Sequence, residues 1–244
     1  MDSPRVYIGW DPREELACHV AHRSLTEQSP QAEILPLELA PLRLRGLYYR
    51  PTSQTATGAL WDAISGAPMS TEHAISRFLV PQLCRYAGWA LFVDGDVLFR
   101  RPIEDLWALR QDRYALMCVP HPPFTDEHAT KKDGQPNPTY RRKNWSSVML
   151  FNCSHPANRL LTTGIVNEVP GRHLHAFGWL MDADIGALPS EWNYLVGVNP
   201  SMADPAIVHY TLGTPAMPTY AQSPFADEWY ACARRAGHGQ GHER

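Results

Sequence analysis

Apolar residues along this chain fall into short runs separated by polar and turn-forming stretches. The run "RVYIG" (5–9) predicts a short buried strand. Asp11 follows where a helix N-cap belongs, with Pro12 at the first helical position and Glu14 at the third, so "DPRE" has capping-box form. Leu16, Val20 and Leu25 then recur at roughly helical spacing, which predicts a helix to about Gln28. "AEILPLEL" (32–39) predicts a second strand, and Pro36, which has no N–H to give a ladder, assigns it to a sheet edge. A strand–helix–strand opening of this kind predicts an α/β fold with a parallel sheet.

Further along, residues 40–69 are punctuated by Pro41, Gly46, Pro51, Gly58, Gly66 and Pro68 and read as irregular. "STEHAISRFLVPQLCRYAG" (70–88) predicts a helix begun by Ser70 or Thr71, bent near Pro81 and ended by Gly88. "WALFVDGD" predicts a strand, "PIEDLWAL" (102–109) a short helix and "YALMCVP" (114–120) a strand. Residues 120–143, rich in proline, read as a long loop. "WSSVMLFNC" (145–153) reads as a strand and "HPANRLLTTGIVNEV" (155–169) as mostly helix. "WNYLVGV" (192–198) and "PAIVHYT" (205–211) are strand-like. No internal repeat is visible. Residues 1–230 are expected to form one domain, and 231–244, ending in "RRAGHGQGHER", a flexible tail.

Composition narrows the function. The 244 residues are 44% hydrophobic, enough for one sizeable core. A net charge of −3 gives no general attraction to nucleic acid or anionic membrane. No apolar run approaches the ~20 residues that span a bilayer, and no basic-then-apolar leader opens the sequence. The five cysteines are scattered without a C-x-x-C pair, which suggests reduced thiols and a cytoplasmic setting. The three lysines, Lys131, Lys132 and Lys143, share one segment with Arg141 and Arg142. Such a segment reads either as a solvated face or as a lid over a diphosphate or anionic acceptor. Its lead into "WSSVMLF" favours the second.

The candidate chemistry lies at Asp94-Gly95-Asp96. Residues i and i+2 of a strand face the same side, so two carboxylates are expected together at a strand's carboxyl end. Open α/β sheets bind ligands at that edge. Like charges held this close repel unless a cation lies between them, and oxygen ligands of this kind suit Mg²⁺ or Mn²⁺. The alternative is a solvated turn whose acids cap the next helix. The preceding "ALFV", apolar enough for burial on both faces, argues against a wet turn.

The order of "VYIGWD", "AISRFLVPQL", "WALFVDGDVLF…IEDLW", "WSSVMLFN", "LPSEWN" and "VHYTLGTP" resembles glycosyltransferase family 8 and its bacterial relatives over about residues 5–213. The resemblance implies a GT-A, Rossmann-like nucleotide-diphospho-sugar transferase fold, with a mixed, mostly parallel sheet flanked by helices. It implies a transferase moving a sugar from a nucleotide-sugar, a UDP-sugar in most of the family, to an acceptor with retention. Asp94 and Asp96 match acids that hold Mn²⁺ or Mg²⁺, and His209 matches a histidine completing that site. Gly9, Trp10, Asp11 and Arg13 stand where the family's first strand meets the nucleotide. Arg77 resembles an arginine near the donor, Gly95 lets backbone and ligand approach, and Gly213 belongs to the late glycine signature. Asp182 and Asp184 match two acids expected near the transferred sugar.

Several positions depart from the family pattern. Ala183 stands where a glutamine separates the two acids. Gly213 lies four positions after His209 instead of three, and no lysine follows it, so arginine, the metal or N–H groups around Gly213 and Thr214 would have to meet the phosphate. Ser146 and Ser147 replace an asparagine and a glycine nearby. Trp179 and Trp192 read as packing residues. Two alternatives stay open. One is a transferase-like domain that binds nucleotide-sugar or glycan without turnover. The other is a haloacid-dehalogenase-type phosphatase with Asp94 as nucleophile.

Overall fold

The computed structural model of the chain describes residues 3–56, 58–122, 142 and 144–237. Most of the basic segment at 131–143 lies outside the described residues, so its expected role at the site has no structural counterpart here.

The chain opens with β1 (Arg5–Gly9), α1 (Glu15–Gln28), β2 (Glu33–Leu37) and α2 (Leu39–Leu44). A small antiparallel meander follows, β3 (Thr52–Gln54), β4 (Leu60–Asp62) and β5 (Ala67–Met69), then α3 (His73–Ser76) and α4 (Val80–Leu83). The middle of the chain supplies β6 (Trp89–Val93), β7 (Val97–Phe99), α5 (Ile103–Trp107), β8 (Leu116–Cys118) and β9 (Val148–Asn152). The last part adds α6 (Thr163–Glu168), α7 (Gly171–His175), β10 (Ile185–Ala187), β11 (Tyr194–Leu195), β12 (Ile207–His209) and α8 (Ala226–Arg235).

Six strands form the central sheet in the order β10-β8-β9-β6-β1-β2. Neighbours run parallel except β9, which is antiparallel to both β6 and β8. The edge position expected for the Pro36 strand holds, since β2 has β1 as its one neighbour. Both faces of β6 are covered. Ala90 and Phe92 enter the core beneath α3 and α4 with Phe78, Leu79 and Phe151, while Leu91 and Val93 enter the opposite core with Leu25, Ile103 and Leu106. A strand buried on both faces needs an unbroken apolar run, and "WALFV" is one. A second sheet, β11-β12-β7, packs with α1 and α8 through Val20, Leu98, Val208, Tyr210 and Trp229.

Three expectations are corrected. Residues 40–69 are not irregular: they hold α2 and the β3–β5 meander. This lobe is clamped by fully buried Arg50, which pairs with Asp62 at 2.6 Å and donates to the Val166 and Val169 carbonyls. The expected tail begins too early, because α8 continues to Arg235 with Cys232 and Ala233 buried and Arg235 bonded to Glu27. The long helix over 70–88 is two short helices joined by a 3-10 turn at Arg77–Leu79. Pro81 sits in the first turn of α4, where a missing N–H costs nothing. Gly88, at φ +67°, stands where the chain turns into β6.

Candidate active site

β6 and β7 belong to different sheets, and Asp94-Gly95-Asp96 is the turn between them. The Asp94 N–H donates to the Ser147 carbonyl beside the large sheet (2.9 Å). The Asp96 carbonyl accepts from Tyr210 N beside the second sheet (3.0 Å). The two acids therefore converge because a turn at the seam of two sheets is fastened on both sides. Strand alternation, the expected cause, does not operate here.

His209, at the end of β12, completes the cluster. Its Nε2 lies 3.1 Å from Asp96 Oδ1 and 3.8 Å from Asp94 Oδ2. One ligand atom from each of the three residues falls within 4.8 Å of the others. Asp96 and His209 are buried and Asp94 is nearly so, with 16% of its side chain exposed. Two carboxylate oxygens and an imidazole nitrogen, drawn together and largely shielded from water, fit a divalent cation.

Asp94 is held by two further residues. Its Oδ1 forms an ion pair with Arg77 Nη2 at 2.8 Å and faces His73 Nε2 at 3.3 Å. Burial pushes the Asp94 carboxyl upward, but the Arg77 charge and the His73 contacts outweigh it and hold the group below the usual carboxylate range. Arg77 is itself buried. It donates to the carbonyls of Ser146 (2.8 Å) and His73 (3.3 Å) and lies over the Phe92 ring. Arg77, expected near the donor, stands against Asp94 in this structure.

The glycines act inside the protein. A Cβ on Gly95 would sit 2.3 Å from the Gly9 carbonyl oxygen and 2.8 Å from Cys18 Sγ. A Cβ on Gly9 would strike the His73 ring at 2.4–2.7 Å. The close approach expected between Gly95 and a ligand is instead an approach to β1. Gly213 is buried and its N–H is bonded to the Tyr210 carbonyl, so that N–H is not offered to a phosphate.

The end of β1 keeps Trp10 half-buried against the edge of His19 and Arg13 exposed. Asp11 has no exposed side-chain surface. It accepts from Arg13 N, Nε and Nη2 and from Glu72 N. Burial raises the Asp11 carboxyl, yet these hydrogen bonds bring it below its ordinary value. The capping role is present, whereas the expected base contact finds both oxygens already engaged.

Asp182 and Asp184 are not brought to Asp94. The register runs from Ile185 to Leu116, to Phe151, to Ala90, which sets Asp184 level with Trp89 at the opposite end of β6. That is about 16 Å along the strands and about 14 Å across them. Asp182 is 70% exposed and pairs with Arg142, and Asp184 accepts from Met181 N. Trp192 is buried, and Trp179 packs on Phe78 and Phe177 with its indole N–H on Asn158.

Sequence reasoning missed His73, Asn193, His121 and His175. Asn193 Oδ1 lies 3.0 Å from His209 Nδ1, and its Nδ2 lies 2.9 Å from Ser147 Oγ and 3.0 Å from His121 Nε2. Burial pushes the His121 imidazole down to about 4, with His209 adding to the shift. His175 Nδ1 lies 2.8 Å from the hydroxyl of Ser146, whose carbonyl holds Arg77. His73 and Asn193 stand inside the quoted motifs "STEHAISRF" and "LPSEWN". Only His209 carried a visible signal, as a histidine ending an apolar run.

The same architecture occurs in glycosyltransferases. The crystal structure of the glycosyltransferase GlyE of Streptococcus pneumoniae TIGR4 matches with a TM-score of 0.61 at 13% identity, over 96% of this chain and 60% of GlyE. The galactosyltransferase LgtC in complex with donor and acceptor sugar analogs matches at 0.57 and 15% identity, over 95% of each chain. The WbbM bifunctional glycosyltransferase matches at 0.56 and 11% identity, over 94% of this chain and 51% of WbbM. The chain therefore spans about half to three-fifths of GlyE and WbbM. The fold is the mixed, mostly parallel α/β fold of GT-A glycosyltransferases. No family model matches the sequence. Protein CDI of Arabidopsis thaliana is 43% identical over 231 residues, covering 92% of this chain and 84% of that protein, and the chain belongs to the family of Protein CDI.

Proposed function

We propose that this chain is a metal-dependent glycosyltransferase of the family 8 type, moving a sugar from a nucleotide-sugar, a UDP-sugar, to an acceptor with retention. The observation that carries this reading is the convergence of Asp94, Asp96 and His209 at the sheet seam of a GT-A fold. Asp94 Oδ2, Asp96 and His209 Nε2 would hold Mn²⁺ or Mg²⁺; the imidazole favours Mn²⁺. A divalent ion there supplies Lewis-acid stabilisation of the leaving diphosphate.

The chain's own residues do the positioning. Arg77 and His73 fix one oxygen of Asp94 and so turn the other toward His209. The Ser147 carbonyl and Tyr210 N–H fix the backbone of the turn. The half-buried Trp10 face and exposed Arg13, at the end of β1, are available to a nucleotide. Transfer breaks the bond between C1 and a phosphate oxygen, and in the retaining reading the departing phosphate takes the acceptor's proton. No carboxylate is needed as covalent nucleophile, which agrees with the distance of Asp184 from the cluster.

A thermal-shift panel of nucleotide-sugars with and without Mn²⁺ tests the reading. Stabilisation by a UDP-sugar that depends on Mn²⁺ and disappears in Asp96→Ala is expected, with donor turnover in the wild type. Binding without turnover for every donor and acceptor tried would favour a non-catalytic sugar-nucleotide-binding domain. Metal-independent binding that survives Asp96→Ala would remove the site assignment.

A further inference from the structure

We propose that Asn193 is the positioning residue of this site, holding the His209 ring so that its Nε2 lone pair faces Asp94 and Asp96. The inference rests on the metal-dependent reading above and assigns a task to Asn193 and Ser147.

The argument starts at Ser147. Its hydroxyl donates to the Asn144 carbonyl at 2.8 Å, so only a lone pair is left for Asn193 Nδ2 at 2.9 Å. Asn144 is in the left-handed region, φ +65°, as a residue whose carbonyl is turned by a tight bend. The second Asn193 N–H points at His121 Nε2, 3.0 Å away. The orientation of the amide is therefore set by Ser147, and His121 Nε2 is placed to take the second hydrogen. Its oxygen must then face His209 Nδ1, at 3.0 Å, and that nitrogen must carry the proton. With the proton on Nδ1, Nε2 is the ring nitrogen left to ligate, and it lies 3.1 Å from Asp96 Oδ1 and 3.8 Å from Asp94 Oδ2. Nε2 this close to two carboxylates calls for positive charge among the three groups, and a divalent cation held by all of them supplies it. The network is thus arranged for a loaded site, and it spends three buried polar side chains on a single ring orientation. Ligating histidines characteristically donate their other N–H to such a partner, which fixes the tautomer and raises ligand basicity. Ser147 thus sets the amide that sets the ring.

The test uses the full chain and Mn²⁺ alone, titrated calorimetrically, with no donor present. Asn193→Leu removes the acceptor, whereas Asn193→Asp keeps an oxygen in its place. Wild type is expected to bind Mn²⁺, Asn193→Leu to bind it about 10–100-fold more weakly, and Asn193→Asp to stay within about threefold of wild type or tighter. A purely structural role for Asn193 would not separate the two variants. Equal affinity of Asn193→Leu and wild type overturns the inference while leaving the metal site intact, and so does an Asn193→Asp variant as weak as Asn193→Leu. Should Asn193→Leu fail to fold by circular dichroism, Ser147→Ala carries the test. A several-fold loss of Mn²⁺ affinity is expected there, and an unchanged affinity overturns the inference. A wild type that binds no Mn²⁺ more tightly than Asp96→Ala removes the functional reading itself.

Discussion

Replacing Arg77 by methionine separates two roles that this residue's position allows. As a donor contact it would matter only when nucleotide is bound. As a brace for Asp94 it matters to the folded protein at all times. The structure favours the brace: the guanidinium meets Asp94 Oδ1 at 2.8 Å, the Ser146 carbonyl at 2.8 Å, the His73 carbonyl at 3.3 Å, and the Phe92 ring at 4.7 Å. Methionine fills similar space but leaves a largely buried carboxylate without its cation. Breaking a buried pair from one side costs about 3–5 kcal/mol. For a chain of this size, each kcal/mol moves Tm by roughly 2–4 °C, so a fall of about 6–20 °C is expected in the metal-free protein. Mn²⁺ should recover part of it, because a cation bound only by the folded state stabilises in proportion to RT ln(1 + [L]/Kd). Differential scanning fluorimetry of Arg77→Met and wild type, each with EDTA or a Mn²⁺ series, reads both effects. An unchanged Tm in EDTA, combined with weakened nucleotide binding, would refute the brace and restore the donor role.

Three further outcomes follow from the geometry. Asp182→Asn and Asp184→Asn should leave Mn²⁺-dependent nucleotide binding within about twofold of wild type, because pairs this far apart act independently; loss of binding in calorimetry would show that the register argument fails. Gly95→Ala should destabilise by about 1–3 kcal/mol in urea unfolding, since its Cβ would meet the Gly9 carbonyl at 2.3 Å and backbone must shift to make room; an unchanged midpoint would contradict that contact. Asp62 is raised by burial but lowered further by Arg50 and Ser65, so its net position is below the ordinary carboxylate value. A depressed carboxyl contributes stability above its unfolded value, near pH 4, and loses it as pH falls through the folded one. Acid unfolding of Arg50→Met should therefore show a shallower dependence on pH below about 4 than wild type, beginning from a lower stability.

The sequence made some parts of this molecule legible and hid others for physical reasons. β1 and β6 were visible because both faces of each are buried, and double burial demands an uninterrupted apolar run. The edge strand was visible through Pro36, whose missing N–H leaves few other places. The β3–β5 meander was hidden, since three-residue strands carry no periodicity and the lobe is held by the buried Arg50–Asp62 pair, which reads as surface charge in a sequence. α8 was hidden beyond Phe225 by its polar composition; its buried Trp229, Cys232 and Ala233 form a narrow stripe. At the site, Asp94, Asp96 and His209 could be placed together by motif order. The residues that orient them could not. His73 and Asn193 act through contacts made between elements far apart in the chain, and neither type is unusual where it stands.

The placement of Asp182 and Asp184, far from Asp94, shows the limit of motif order more sharply. Two acids before "LPSEWN" agree with the family pattern in sequence, but their location depends on where β10 starts. Here the strand begins at Ile185, directly after the acids, and parallel pairing to β8 carries its carboxyl end, not its amino end, toward the site. Anything just ahead of β10 is thereby fixed at the far edge of the sheet. The segment that does reach the site from this region is α7, ten residues earlier, through His175 and its contact with Ser146. The charge balance of the cluster is consistent with that rearrangement. Two carboxylates and the Arg77 guanidinium sum to one net negative charge, and a divalent ion would turn this to one net positive. In the proposed reading, an excess of that sign would suit a diphosphate without the late lysine that the sequence lacks, and additional carboxylates at the same spot would oppose it.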